Sequence, residues 1–181
     1  MAPDACLSSS NILVKTVRLH HDNVLDWAKE RSDVKVVHLV RDPRAMISSM
    51  MAQPEEWTVR LASYRNICQQ LHMDMEQLEN HMPEGRYMRV RYEDIVENPV
   101  QEFRKICEFT GVRFDEELER KIEEKVNGNN ADPETAKYYS TVRPKGFRHD
   151  SWKLKLDKDV VESIQCDCED VLRKLGYKIK S

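Results

Sequence analysis

Apolar positions along this chain recur in two rhythms, and the switch between them predicts its elements. Ile12-Leu-Val-Lys-Thr-Val-Arg-Leu19 is rich in β-branched residues and predicts a strand. Asp22 is placed to cap a short helix reaching about Arg31. Val34-Lys-Val-Val-His-Leu-Val40 is nearly all apolar, as a buried parallel strand is. Two strands joined by a helix imply a right-handed βαβ unit. Pro43 suits a first helical position and opens a helix through Met51. A longer helix spans about Glu55–His81, where Trp57, Leu61, Tyr64, Cys68, Leu71, Met75 and Leu78 alternate in steps of four and three. Arg86-Tyr-Met-Arg-Val-Arg-Tyr92 predicts another strand. Asn98-Pro99 opens a helix that stops at Gly111, and a further helix runs from Asp115 to Val126. Residues 129–151 read as loop, and a last helix from Asp157 closes at Gly176. The expected fold class is α/β, one domain over residues 1–181, with helices outnumbering strands.

Composition narrows the function. The chain has 181 residues, 34% of them charged, and its longest apolar runs fall far short of the roughly 20 residues that span a bilayer. No membrane segment is expected within it. Against 29 basic residues stand 32 acidic ones, so a broad nucleic-acid-binding face is not expected, while a local cationic pocket remains compatible. Five cysteines (Cys6, Cys68, Cys107, Cys166, Cys168) include no CxxC pair of the kind that holds zinc, and read from spacing alone they are buried thiols.

The chemistry concentrates in Val34–Ser49. Arg41 falls at the carboxyl end of a strand, where open α/β sheets bind ligands. The helix that follows offers unpaired backbone N–H groups and a partial positive charge. Met46, Ile47, Met50 and Met51 fit its core side, leaving Ala45 and Ser49 on another face. Arg41 and Ser49 together would make a phosphate clamp, a guanidinium and a hydroxyl beside a helix N-terminus. The same residues also fit an Arg–Asp pair that merely closes the strand–helix turn.

Leu39-Val-Arg-Asp-Pro-Arg-Ala45 with Ser49 resembles the 3′-phosphate-binding motif of sulfotransferases, particularly the Golgi carbohydrate 6-O-sulfotransferases. Val14-Lys-Thr-Val-Arg18 resembles the strand preceding that motif. Gly85-Arg-Tyr-Met-Arg-Val-Arg-Tyr-Glu-Asp94 with Asn98-Pro99 resembles the central strand of the family. Tyr139-Ser-Thr141, Trp152, Gln165, Cys168 and Leu175-Gly-Tyr177 match the C-terminal region in order.

The resemblance implies a fold related to P-loop kinases, with a parallel sheet. It implies 3′-phosphoadenosine 5′-phosphosulfate (PAPS) as donor, a sugar hydroxyl of a glycan such as a glycosaminoglycan as acceptor, no metal, no nucleic-acid partner, and a Golgi address. The transfer expected is to the 6-hydroxyl of a hexosamine or galactose. Arg41 and Ser49 would hold the 3′-phosphate, Tyr92 would lie near the adenine, and Arg143 and Lys145 would belong to a basic loop closing over the phosphate. Lys15 is the candidate for stabilising the sulfuryl or leaving oxygen, with an exposed strand lysine as the plain reading. Cytosolic relatives place a histidine two residues beyond that lysine, where this chain has Val17, and neither His20 nor His21 is assigned as base. Cys68 and Cys168 match cysteine positions of the Golgi family, which implies a disulfide in an oxidising lumen.

Other groups carry structural expectations. Glu93-Asp94 is expected to supply a carboxylate that pairs an arginine. Trp152 is expected to anchor the final helix, His38 to be a satisfied core residue, and the acidic run Asp115–Glu124 to be a solvated helix face. The loop that grips the 5′-phosphosulfate in this family has no counterpart upstream of Ile12, and no Gly-x-x-x-x-Gly-Lys-Ser/Thr occurs. The expectation is therefore the C-terminal portion of such an enzyme. The alternative is a non-catalytic remnant that binds 3′-phosphoadenosine 5′-phosphate or a partner.

Overall fold

The computed structural model describes residues 8–17, 19–52, 63–126 and 148–179. Its only sheet among these residues has two strands, β1 (Val36–Val40) and β2 (Tyr87–Arg91), paired in parallel with Val36 opposite Tyr87 and Val40 opposite Arg91. α1 (His21–Glu30) precedes β1. α2 (Pro43–Met51) and α3 (Tyr64–His81) lie between the strands, so they belong to the crossover that a parallel pair requires. After β2 come α4 (Tyr92–Glu97), α5 (Pro99–Thr110) and α6 (Glu116–Val126). A 3₁₀ turn (Ser151–Leu154) and α7 (Lys158–Asp167) and α8 (Glu169–Lys174) close the described chain.

The core forms where apolar stripes meet. Val40, Ile47, Cys68, Met75, Ile164, Cys168, Val171, Leu172 and Leu175 make one cluster joining β1, α2, α3, α7 and α8. Val24 and Ala28 of α1 pack on Leu78 and Met82 in a second. α3 touches both because its apolar residues recur on one face over five turns. Cys68 and Cys168 are joined as a disulfide, with Cα atoms 5.2 Å apart across a sequence separation of 100 residues. It ties α3 to the junction of α7 and α8. Cys107 is a buried free thiol, whereas Cys166 is free but exposed.

Arginine and lysine side chains close helix ends. Arg86 donates to the carbonyl of Ala28 at 2.9 Å and to that of Arg31, satisfying the C-terminal end of α1, and to that of Val34 just before β1, also at 2.9 Å. Lys35 does the same for Phe109 at the end of α5, at 2.5 Å. Gly111 ends α5 at φ 80°, a left-handed turn that a side chain disfavours.

Several expectations need correction. Ile12–Val17 is not a strand: the segment is irregular, and Leu13 is 94% exposed. β-Branched residues favour a strand only when a neighbouring ladder takes their backbone groups, and none does here. The βαβ unit is therefore β1 to β2, not Ile12–Leu19 to β1. β1 is not buried on both sides, since Val37 and Leu39 are exposed. His20, not Asp22, occupies the N-cap of α1, and Asp22 lies in its first turn. Ala45 faces the core, while Met51 points out. Tyr92 opens a helix rather than ending a strand. The last helix is two pieces, interrupted at Cys168. Residues 53–62 and 127–147 include Trp57, Leu61 and most of the expected loop, and lie outside the described residues. Trp152 is buried as expected, and the acidic run on α6 is largely solvated, with Ile122 its one buried residue.

Candidate functional site

The turn joining β1 to α2 holds two arginines in opposite states. Asp42 caps α2 by accepting the Arg44 amide N–H at 2.9 Å. The same carboxylate takes a fork from the Arg44 guanidinium, Nε at 3.0 Å and Nη2 at 2.8 Å. Arg44 Nη1 donates to Gln165 Oε1 and to the Lys178 carbonyl, both at 2.9 Å. Its guanidinium lies 4.4 Å from the centre of the Trp152 ring. With Arg44 and Asp42 only 4% and 5% exposed, this is a saturated buried clamp between α2, α7 and the C-terminal segment.

Arg41 is left outside that clamp. Its guanidinium stacks over the Tyr92 ring at 4.7 Å, and its Nε is buried with no hydrogen-bond partner. The adjacent carboxylate is already neutralised by Arg44. A cation held against an aromatic face with an unsatisfied N–H suits an anionic ligand, because a charge-assisted bond would offset the desolvation already incurred. The aromatic ring beside it suits a planar base.

Tyr92 reaches Arg41 because the parallel register sets the end of β2 beside the end of β1, with Arg91 opposite Val40. Glu93 follows and is 5% exposed. Its Oε1 accepts the Asp42 amide N–H at 3.1 Å, and its Oε2 accepts the Tyr177 hydroxyl at 2.5 Å. The arginine pairing expected of one of the two carboxylates falls to Asp94, 3.8 Å from Arg91, while Glu93 is held by a backbone amide and a phenol. Burial, together with the Glu93 carboxylate, pushes the Tyr177 hydroxyl far above the usual phenol range. It therefore stays a proton donor at neutral pH.

The structure brings Arg41 and Tyr92 together. Ser49 lies in the second turn of α2 and is exposed, unlike Ala45 one turn before it, which is buried. Lys15 is exposed in the irregular segment before α1, rather than at a strand end. Arg143 and Lys145 lie outside the described residues. His38 is half-buried and hydrogen-bonds the Tyr87 hydroxyl at 3.0 Å, the satisfied core role expected of it. Arg44, Glu93 and Tyr177 were not assigned to the site from sequence. Their partners lie as many as 134 residues away, and only the sequence Arg-Asp-Pro-Arg hinted that one arginine would pair the aspartate.

Residues 8–116 match the profile of the sulfotransferase family, well over half of the chain. The chain belongs to the sulfotransferase family. Within it, the similar curated proteins are carbohydrate sulfotransferases. Carbohydrate sulfotransferase 1 of Homo sapiens is 33% identical over 99% of this chain and 48% of its own length. Carbohydrate sulfotransferase 1 of Danio rerio is 32% identical over 98% of this chain and 47% of its own. Carbohydrate sulfotransferase 3 of Homo sapiens is 28% identical, again over 99% of this chain. The chain thus spans about half the length of the first two relatives and 41% of the third. A solved sulfotransferase domain from the curacin biosynthetic pathway shares the fold, with a TM-score of 0.54 at 19% identity over 87% of this chain and 59% of that one. The sheet-and-helix arrangement is therefore the sulfotransferase fold. No helix among the described residues is long and apolar enough to cross a membrane.

Proposed function

We propose that this chain carries the nucleotide 3′-phosphate site of a carbohydrate sulfotransferase, taking PAPS as donor and a glycan hydroxyl as acceptor. One observation carries the reading: Arg41 keeps a buried, unpartnered Nε against Tyr92 while the neighbouring Asp42 is fully engaged by Arg44. In this reading Arg41 and Ser49 hold the 3′-phosphate, Tyr92 flanks the adenine, and Arg143 and Lys145 close the pocket. Transfer goes to a 6-hydroxyl of GlcNAc, GalNAc or galactose, as in glycosaminoglycan sulfation. The Cys68–Cys168 disulfide supports maturation in an oxidising compartment, for which the Golgi lumen is the proposal.

Sulfuryl transfer, like phosphoryl transfer, rests on in-line positioning and on stabilising charge at the leaving phosphate. Arg41 contributes a fixed cation that orients the nucleotide, and Lys15 is the proposed cation for the transferring group. Radiolabelled PAPS with a panel of desulfated glycosaminoglycans tests the reading. Label should enter a 6-O position when the chain is supplied with a 5′-phosphosulfate loop, and there Lys15→Met should lower transfer while leaving nucleotide affinity within about twofold. Binding of 3′-phosphoadenosine 5′-phosphate with no transfer to any acceptor would leave a nucleotide-binding protein without turnover. Absence of binding would remove the site.

A further inference from the structure

The contact that orients Arg41 comes from the far end of the chain. Asp42 follows Arg41 directly, so the direction of the Asp42 N–H fixes the peptide plane from which the Arg41 backbone departs. That N–H is held by Glu93 Oε1 at 3.1 Å, and Glu93 Oε2 is in turn held by the Tyr177 hydroxyl at 2.5 Å. Tyr177 is itself fixed twice. Its amide donates to the Leu172 carbonyl at 2.8 Å across the left-handed turn at Gly176, and Arg91 stacks on its ring at 4.6 Å. Arg91 precedes Tyr92, the residue under Arg41. Arg91 and Glu93 therefore meet the C-terminal segment while Tyr92, between them, meets the turn that carries Arg41.

Both hydrogen bonds to Glu93 come from neutral donors. A buried carboxylate without a bidentate cation is a costly way to gain stability, since an apolar side chain of similar size would fill the space without the desolvation. What it achieves is aim: it fixes one amide, beside an arginine whose buried Nε has no hydrogen-bond partner. We propose that Glu93 and Tyr177 are positioning residues for the 3′-phosphate site. Through them the segment after α8 sets the pose of Arg41. This rests on the reading of Arg41 as the phosphate ligand, because its functional consequence is a change in nucleotide affinity.

Three variants of the full 181-residue chain test it: Tyr177→Phe, Glu93→Ala and Glu93→Gln. Each is titrated calorimetrically with 3′-phosphoadenosine 5′-phosphate, and Asp42 amide exchange is followed by NMR. Tyr177→Phe keeps the ring and removes only the hydroxyl. It should weaken binding about fivefold, and Glu93→Ala on the order of tenfold or more, the range expected of residues that act through another. Glu93→Gln retains an acceptor oxygen and should recover part of the loss. In Tyr177→Phe the Asp42 amide should exchange faster, with exchange in α3 unchanged. Wild-type affinity in both Tyr177→Phe and Glu93→Ala would overturn the proposal, whatever their melting temperatures. Should the wild type itself fail to bind, the Arg41 reading falls, and Asp42 exchange alone decides the coupling: acceleration confined to that amide supports it, and no change overturns it.

Discussion

Replacing Arg44 by alanine should unfold this protein far more readily than replacing Arg41, three positions earlier in the same motif. Arg44 is 4% exposed and donates four side-chain hydrogen bonds, two to Asp42, one to Gln165 and one to the Lys178 carbonyl. Alanine would strand the Asp42 carboxylate in the interior with only the amide of residue 44 as partner. Breaking one side of a buried ion pair costs roughly 3–5 kcal/mol. For a domain of this size each kcal/mol moves the melting temperature by about 2–4 °C, so a fall of roughly 6–20 °C is expected. Arg41 gives up only its stacking on Tyr92, a contact of about 0.5–1 kcal/mol. Thermal unfolding followed by far-UV circular dichroism under non-reducing conditions compares the two, with urea titration as a check on slope. If Arg44→Ala melts no lower than Arg41→Ala, the clamp is not what holds α2 against α7, and the division of labour between the arginines is wrong.

Two other predictions concern stability. Removing the Cys68–Cys168 bridge, by reductant or as the double alanine variant, should cost up to about 4–5 kcal/mol, because it frees a loop of 100 residues in the unfolded chain; non-reduced peptide mapping should recover the linked pair, and free thiols at both positions would contradict the structure. Burial lowers the His38 proton affinity below its ordinary value of 6.5, so folding is favoured by neutral His38 above that pH and loses this contribution as pH falls through the depressed folded value. Urea titrations at pH 7.5 and 5 should show a steeper loss for wild type than for His38→Gln, and equal losses would refute the assignment.

Much of the frame was legible in the sequence because its signals are local. The stripe through Cys68, Met75 and Leu78 marks the buried face of α3, Pro43 opens α2, and Gly111 ends α5. The disulfide was legible only through family resemblance, since spacing says nothing of which thiols meet. Ile12–Leu19 misled because β-branched residues announce a propensity, while a strand needs an edge to pair with. The site divides the same way. Arg41 follows a strand end that pattern recognises, whereas Tyr92 was legible only through the family resemblance. Glu93 and Tyr177 are 84 residues apart, and Arg44 and Gln165 are 121 apart. Hydrogen bonds that long in sequence leave no periodicity, and adjacent carboxylates such as Glu93 and Asp94 look alike until one is buried. Arg41 and Arg44 share one short motif, and the geometry adds that Arg44 is the one Asp42 engages.

Calorimetric titration of 3′-phosphoadenosine 5′-phosphate into wild type, Arg41→Ala and Ser49→Ala most directly tests the claim that the turn after β1 is a 3′-phosphate site. A charge-assisted hydrogen bond is worth about 1.5–3 kcal/mol, so Arg41→Ala should weaken binding on the order of tenfold to a hundredfold or more. Ser49→Ala, which removes an exposed neutral hydroxyl, should cost less. Adenosine 5′-phosphate, lacking the 3′-phosphate, should bind wild type and Arg41→Ala alike. Equal affinities for the bisphosphate in all three proteins would contradict the account.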